Sequence, residues 1–213
     1  METKQLSTII KAALPTASYN AKPSTLSNVL EQRGALVVQR FGNDKSFLVK
    51  VNPDTQISFA EKPQAAILGD YPTLRDTDAA YGKNFSVEWL AVQVADLALY
   101  TGAKNLTLGQ QLGVARVIAT EYKYLKVTEL LLFFYRFKTG RYGRFYGTVD
   151  PMVITCALRE FIKERNNMID NFELEKKRED SENDKKPKMT YQEYQRIVAQ
   201  EKAEKEKQSR QIA

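Results

Sequence analysis

Residues 127–138, VTELLLFFYRFK, are apolar on almost every face of a helix, through Leu130, Leu131, Leu132, Phe133 and Phe134. A helix of that kind has to be buried on most sides, so the rest of the chain must supply its cover. The flanking sequence offers the pieces. Ser86 is a favourable N-cap, Phe85 is placed to staple onto Leu90, and Gly102 is a stop signal, which together predict a helix from about 86 to 100. Thr107 and Gln110 form a capping-box pair that opens the next helix, with Leu112, Ala115, Ile118 and Tyr122 on one face. Asp150 before Pro151 starts another, with Ile154, Leu158, Phe161, Ile162 and Arg165 on one stripe that runs past residue 170. Four helices within 86–172 therefore predict a compact helical core built around 127–138.

The flanks read differently. In 1–23, Leu6, Ile9, Ile10 and Leu14 predict a short amphipathic helix over 4–14, ended by Pro15 and followed by a linker. In 24–85, a helix over about 25–33 stops at Gly34. After it, ALVVQRF and SFLVKV flank GNDK, a pattern rich in Val and Phe around a Gly-Asn turn that predicts a β-hairpin, with QISFA as a third strand. Such a hairpin is marginal alone and has to lean on the helices. Residues 60–85, with Pro63, Gly69, Pro72 and Gly82, predict an irregular connection. In 173–213 a mixed-charge stretch predicts fraying helix and linker, and Thr190 with Glu193 opens a charged C-terminal helix whose Tyr191, Tyr194, Ile197 and Val198 share a face. The expected fold class is α+β, mainly α: a compact helical core, a small N-terminal β-hairpin or meander, and a charged C-terminal helix.

Several chemistries are excluded by what the chain lacks. Its 213 residues contain no histidine and one cysteine, Cys156. Ser-His-Asp and Cys-His triads, an intrachain disulfide and a four-cysteine zinc site are therefore impossible. The longest apolar run, 130–135, falls far short of the roughly 18 residues that suggest a membrane span. No secretory leader is legible at the N-terminus. A cytoplasmic protein without membrane, metal or cofactor is the expectation. The net charge of +6 is local: residues 122–147 hold six cations against one anion, and 163–213 hold 13 against 12.

That positive segment contains KTGRYGRFYGTVDP, residues 138–151. Its glycines lack the Lys-Ser/Thr pair of a P-loop and the spacing of a dinucleotide-binding turn. Arg136, Lys138, Arg141 and Arg144 are suited to phosphate, and Tyr142, Phe145 and Tyr146 to stacking on exposed bases. The same residues also fit a plain corner between helices, with Gly140 as a cap, the rings padding the bundle and the cations a solvated rim. Glu121, Glu129, Asp76 and Asp78 are the carboxylates that acid–base catalysis would need. Local composition explains them as well, Glu129 by the helix dipole. Trp89 is expected in the core, and Cys156 as a small buried residue.

Residues 117–166 resemble a small family of uncharacterised proteins from Bacteroidota genomes, found in phage-like or conjugative neighbourhoods. The residues that carry the resemblance are 129–134, Gly140, Tyr142, Gly143, Phe145, Tyr146, Gly147, Asp150 and Pro151. Looser forms of the GRYGRFYG turn occur in phage proteins that look like replication accessories. The resemblance implies nucleic-acid transactions of a mobile element and carries over no activity. The expected function is a non-enzymatic nucleic-acid-binding accessory protein using Arg136, Lys138, Arg141, Tyr142, Arg144, Phe145 and Tyr146. The alternatives are a protein–protein adaptor that presents the turn or the C-terminal helix, and an enzyme that uses carboxylates.

Overall fold

The computed structural model describes residues 25–102, 106–143, 150–185 and 191–211. The helix expected over 4–14 and its linker lie outside the described residues. The chain forms two compact units, 1–159 and 160–213.

Ten α-helices and one 3-10 turn are described, in the order α1 Thr25–Phe41, α2 Asp44–Lys50, the turn Pro53–Thr55, α3 Gln56–Glu61, α4 Pro63–Leu68, α5 Leu74–Tyr81, α6 Phe85–Thr101, α7 Leu108–Glu121, α8 Val127–Lys138, α9 Pro151–Lys185 and α10 Tyr191–Gln211. No strand occurs among the described residues; the sole β feature there is an isolated bridge between Thr73 and Lys126. The expected α+β class is thus wrong: the described chain is helical, and the N-terminal hairpin does not exist.

The physical reason lies in Gly34 and in the spacing that follows it. Gly34 does not stop α1. A Cβ there would stand 2.9 Å from the backbone carbon and oxygen of Ala79, so glycine lets α1 cross α5 at close range. Beyond it, the buried residues of the two runs are Val37 with Phe41 and Phe47 with Val51, four apart in each pair, whereas Val49 is 71% exposed. Alternation would have buried Val49 with Phe47 and Val51. GNDK is a helix-to-helix corner: Gly42, at φ +85°, ends α1, and the Asn43 side chain accepts from the Ser46 amide at 2.9 Å to open α2. QISFA is α3.

The central helix is as expected. In α8, Val127, Leu130, Leu131, Leu132, Phe133, Phe134 and Phe137 are all essentially inaccessible, each large side chain contributing about 1.5–3 kcal/mol on burial. Its cover comes from α3, α4 and α6, so QISFA, expected as a third strand, instead packs against it as α3. Long-range polar contacts fix its start. Lys126 Nζ donates to the carbonyls of Ile67 and Gly69 at 2.8 and 2.7 Å, and Thr128 Oγ1 donates to that of Ala66 at 2.7 Å. These are the end carbonyls of α4 that no intrahelical amide reaches. The Val127 amide donates to Pro72 and the Leu74 amide to Leu125, both at 3.0 Å, so α5 and α8 begin side by side.

Trp89 is buried, as expected, and its indole N–H donates to the Val51 carbonyl at 2.9 Å. Thr107 and Gln110 form the expected capping box, and Asp150 Oδ1 accepts from the Met152 amide at 2.8 Å where α9 begins. The start of α6 differs in detail. Its cap is the Asp78 side chain, which accepts from the Ser86 amide and hydroxyl at 2.8 and 3.0 Å. Cys156, expected buried, is exposed.

In the second unit, α9 continues unbroken to Lys185 where fraying was expected, although every side chain from Asp170 to Glu182 is exposed. Glu, Lys and Arg are good helix formers and need no core for that. The C-terminal helix begins at Tyr191 as expected. No helix of the described residues is long and apolar enough to cross a membrane.

Candidate nucleic-acid interface

The end of α8 is built by its glycines. The Gly140 amide donates to Phe137 at 3.0 Å and the Arg141 amide to Arg136 at 3.2 Å, with Gly140 at φ +76°. This is the Schellman arrangement, in which a left-handed residue turns the chain back over the last helical turn. Its consequence is specific: the backbones of Arg136 and Arg141, five apart in sequence, meet at one corner. Gly143, at φ +114°, turns the chain again. Arg136 is half-buried and Arg141 exposed.

The remaining residues of the expected site do not all join them. Lys138 is only 15% exposed and forms an ion pair with Asp96 of α6, its ammonium lying 5.5 Å from the centre of the Tyr100 ring. Behind the pair, Gln56 Nε2 donates to Gln93 Oε1 at 2.8 Å, and Gln93 Nε2 to the Val51 carbonyl at 3.3 Å. Lys138 thus closes an internal polar network. Tyr142 is half-buried, with its ring centre 5.9 Å from that of Phe133. It pads the bundle as the corner reading expects. Arg144, Phe145 and Tyr146 lie outside the described residues.

The carboxylates raised for catalysis serve helix starts. Asp76 Oδ2 accepts from the Thr73 amide at 3.0 Å, Asp78 holds Ser86, and Glu129 Oε2 accepts from the Lys126 amide at 2.8 Å. Glu121 is exposed. Among the described residues, no three His, Cys, Asp or Glu side chains gather where they could hold a metal ion.

A second charged, aromatic surface lies between α1 and the 70–76 segment, and the sequence reading missed it. Arg33 and Arg40, seven apart on α1, stand over a groove of about 110 Å³ lined also by Leu36, Tyr71 and Asp76. The Arg40 guanidinium sits 5.1 Å from the Tyr71 ring centre and 5.5 Å from that of Phe41, and donates to the Asp70 carbonyl. Lys50 approaches Phe41 from another side at 5.9 Å. Arg33 Nη1 lies 3.6 Å from Asp76 Oδ1. The available signal was the seven-residue spacing of the two arginines, which is lost once 35–41 is read as a strand.

Residues 105–208, just under half of the chain, match a family of unknown function, DUF6633. The matched span holds α7, α8 and the glycine turn but not the groove. No curated protein and no solved structure matches the chain significantly.

Proposed function

We propose that the protein is a non-enzymatic nucleic-acid-binding accessory protein, working in the replication or maintenance of a phage or conjugative element. The observation that carries this reading is the corner after α8. Residues 130–149 contain no acidic residue, and the turn brings the backbones of Arg136 and Arg141 together, two residues of the type that neutralises phosphates. The groove on α1 supports it with two more arginines beside an aromatic ring. The capping roles of Asp76, Asp78 and Glu129 favour binding over carboxylate catalysis. The mobile-element context rests on the resemblance of residues 117–166.

One observation favours a second reading, a protein–protein adaptor: on α10, Tyr191, Tyr194 and Ile197 share a face and are 74, 58 and 41% exposed. Two variants separate the readings. Arg136→Ala with Arg141→Ala is expected to abolish most oligonucleotide affinity with an unchanged melting curve. Deletion of 187–213 is expected to leave that affinity intact. An adaptor would show the reverse, no loss from the arginine pair and loss of partner capture from the deletion.

A further inference from the structure

Asp76 is 6% exposed at its side chain, and its two oxygens are treated differently by the fold. Oδ2 accepts from the Thr73 amide at 3.0 Å and from the Thr73 hydroxyl at 2.8 Å. Oδ1 is buried and accepts no hydrogen bond from the described residues; its ion-pair contact with Arg33, at 3.6 Å, is too long to be one. A buried acceptor without a donor is left desolvated and uncompensated by any hydrogen bond. Asp76 lines the groove, with the Arg33 guanidinium beside Oδ1 and with Tyr71 and Arg40 in the same lining.

The combination defines a ligand chemistry. Asp76 Oδ1 needs one donor, and Arg33, 59% exposed and able to move, offers donors to an adjacent acceptor. Every nucleobase carries a donor and an acceptor side by side on its pairing edge. Its flat face suits a tyrosine ring next to an arginine. A cavity of roughly 150 Å³ holds one benzene ring, so an open groove of about 110 Å³ is too small to enclose a base and admits its edge. The edge is available only when the base is unpaired. The Asp70 carboxylate in the lining is fully exposed and 3.9 Å from Arg40, a contact that water screens strongly, so Arg40 is a second cation for the attached phosphate.

We propose that the groove between α1 and residues 70–76 holds one unpaired base of a single strand, with Asp76 and Arg33 on its pairing edge and Tyr71 beside its face. This rests on the nucleic-acid reading above and adds what that reading lacks, a preference for single strands.

The test measures anisotropy of two labelled 12-nucleotide strands at one salt concentration, one with all its bases and one fully abasic. The normal strand is expected to bind roughly tenfold more tightly, within the range set by stacking of one base. Arg33→Gln, at an exposed site that leaves the core untouched, should bring the ratio close to one. Asp76→Asn keeps an oxygen for the Thr73 amide and replaces the free acceptor with a donor, so it should reorder affinities among the four homopolymers. Mere destabilisation would not do that. Arg141→Ala should weaken both strands alike and leave the ratio unchanged. A wild-type ratio near one, or a ratio and order untouched by both groove variants, overturns the assignment while Arg141→Ala still weakens binding. Mononucleotides binding as tightly as the strand would overturn the single-strand claim and assign the groove to free nucleotide. Failure of both strands to bind at low salt would defeat the parent reading itself.

Discussion

The corner after α8 and the groove on α1 both carry arginines, but the fold treats the charges around them in opposite ways. The corner lies in the most one-signed part of the sequence, yet Lys126 and Lys138 are used inside the molecule, one on the end of α4 and the other on Asp96. The groove is nearly balanced, with Arg33 and Arg40 facing Asp70 and Asp76, yet it keeps a buried oxygen that has no hydrogen-bond donor among the described residues. Net charge along a segment is therefore a poor guide to what its surface offers. Partners 42 and 59 residues away decide which cations remain at the surface.

The largest expected effect removes one side of this comparison. Gly34→Leu forces a side chain against the backbone of Ala79 and Ala80 and should part α1 from α5. Overpacking of this kind typically costs about 1–3 kcal/mol and more when backbone must move, so about 3 kcal/mol is expected in chemical denaturation. The base-to-abasic ratio should vanish with the groove.

A smaller effect sharpens the other side. Lys138→Met leaves Asp96, 31% exposed, without its cation. The cost should be about 1–2 kcal/mol, between the roughly 3–5 of a buried pair and the roughly 0–1 of an exposed one. Adding Asp96→Asn should recover more than half of it. The double variant should keep the wild-type salt dependence of oligonucleotide binding. A shallower dependence would return Lys138 to the phosphate-contacting set.

The smallest effect concerns the fastening of α1 beside the groove. The Tyr81 hydroxyl donates to the Gly42 carbonyl at 3.0 Å. Burial first, and then the negative charge of Asp44, hold its phenol above the usual 10.0. Below that pH the phenol is protonated in both folded and unfolded chains. Above it the unfolded chain ionises first, so stability falls as pH rises towards the folded value. Tyr81→Phe should cost about 0.5–1.5 kcal/mol at neutral pH for the lost hydrogen bond, and its melting temperature should decline less steeply than wild type above pH 10.

The legible parts of the fold were those written in local chemistry. Thr107 with Gln110, Gly102, Asp150 with Pro151 and the all-apolar face of 127–138 each announce themselves within a few residues, and each helix they mark is present. The hairpin failed because short runs rich in Val and Phe fit both periods, and GNDK serves a helix corner as readily as a strand turn. Gly34 has the composition of a stop, and only contact with Ala79, 45 positions on, reveals it as a point of close packing. The site divides in the same way. Arg136 and Arg141 were legible as two of four cations around the glycines, but not as the two whose backbones the turn brings together. The loss of Lys138 to Asp96, the inward lean of Tyr142 and the groove itself depend on which helices meet.

The measurement closest to the central claim is the affinity of the full chain for a single-stranded oligonucleotide across a series of salt concentrations. Arg136 and Arg141 of the corner, joined by Arg40 of the groove, would each release about 0.7–0.9 counterions, so log K against log salt should slope between about −2 and −3. Arg141→Ala should flatten it by about one such contact. An affinity indifferent to salt, or no binding at low salt, would contradict the account.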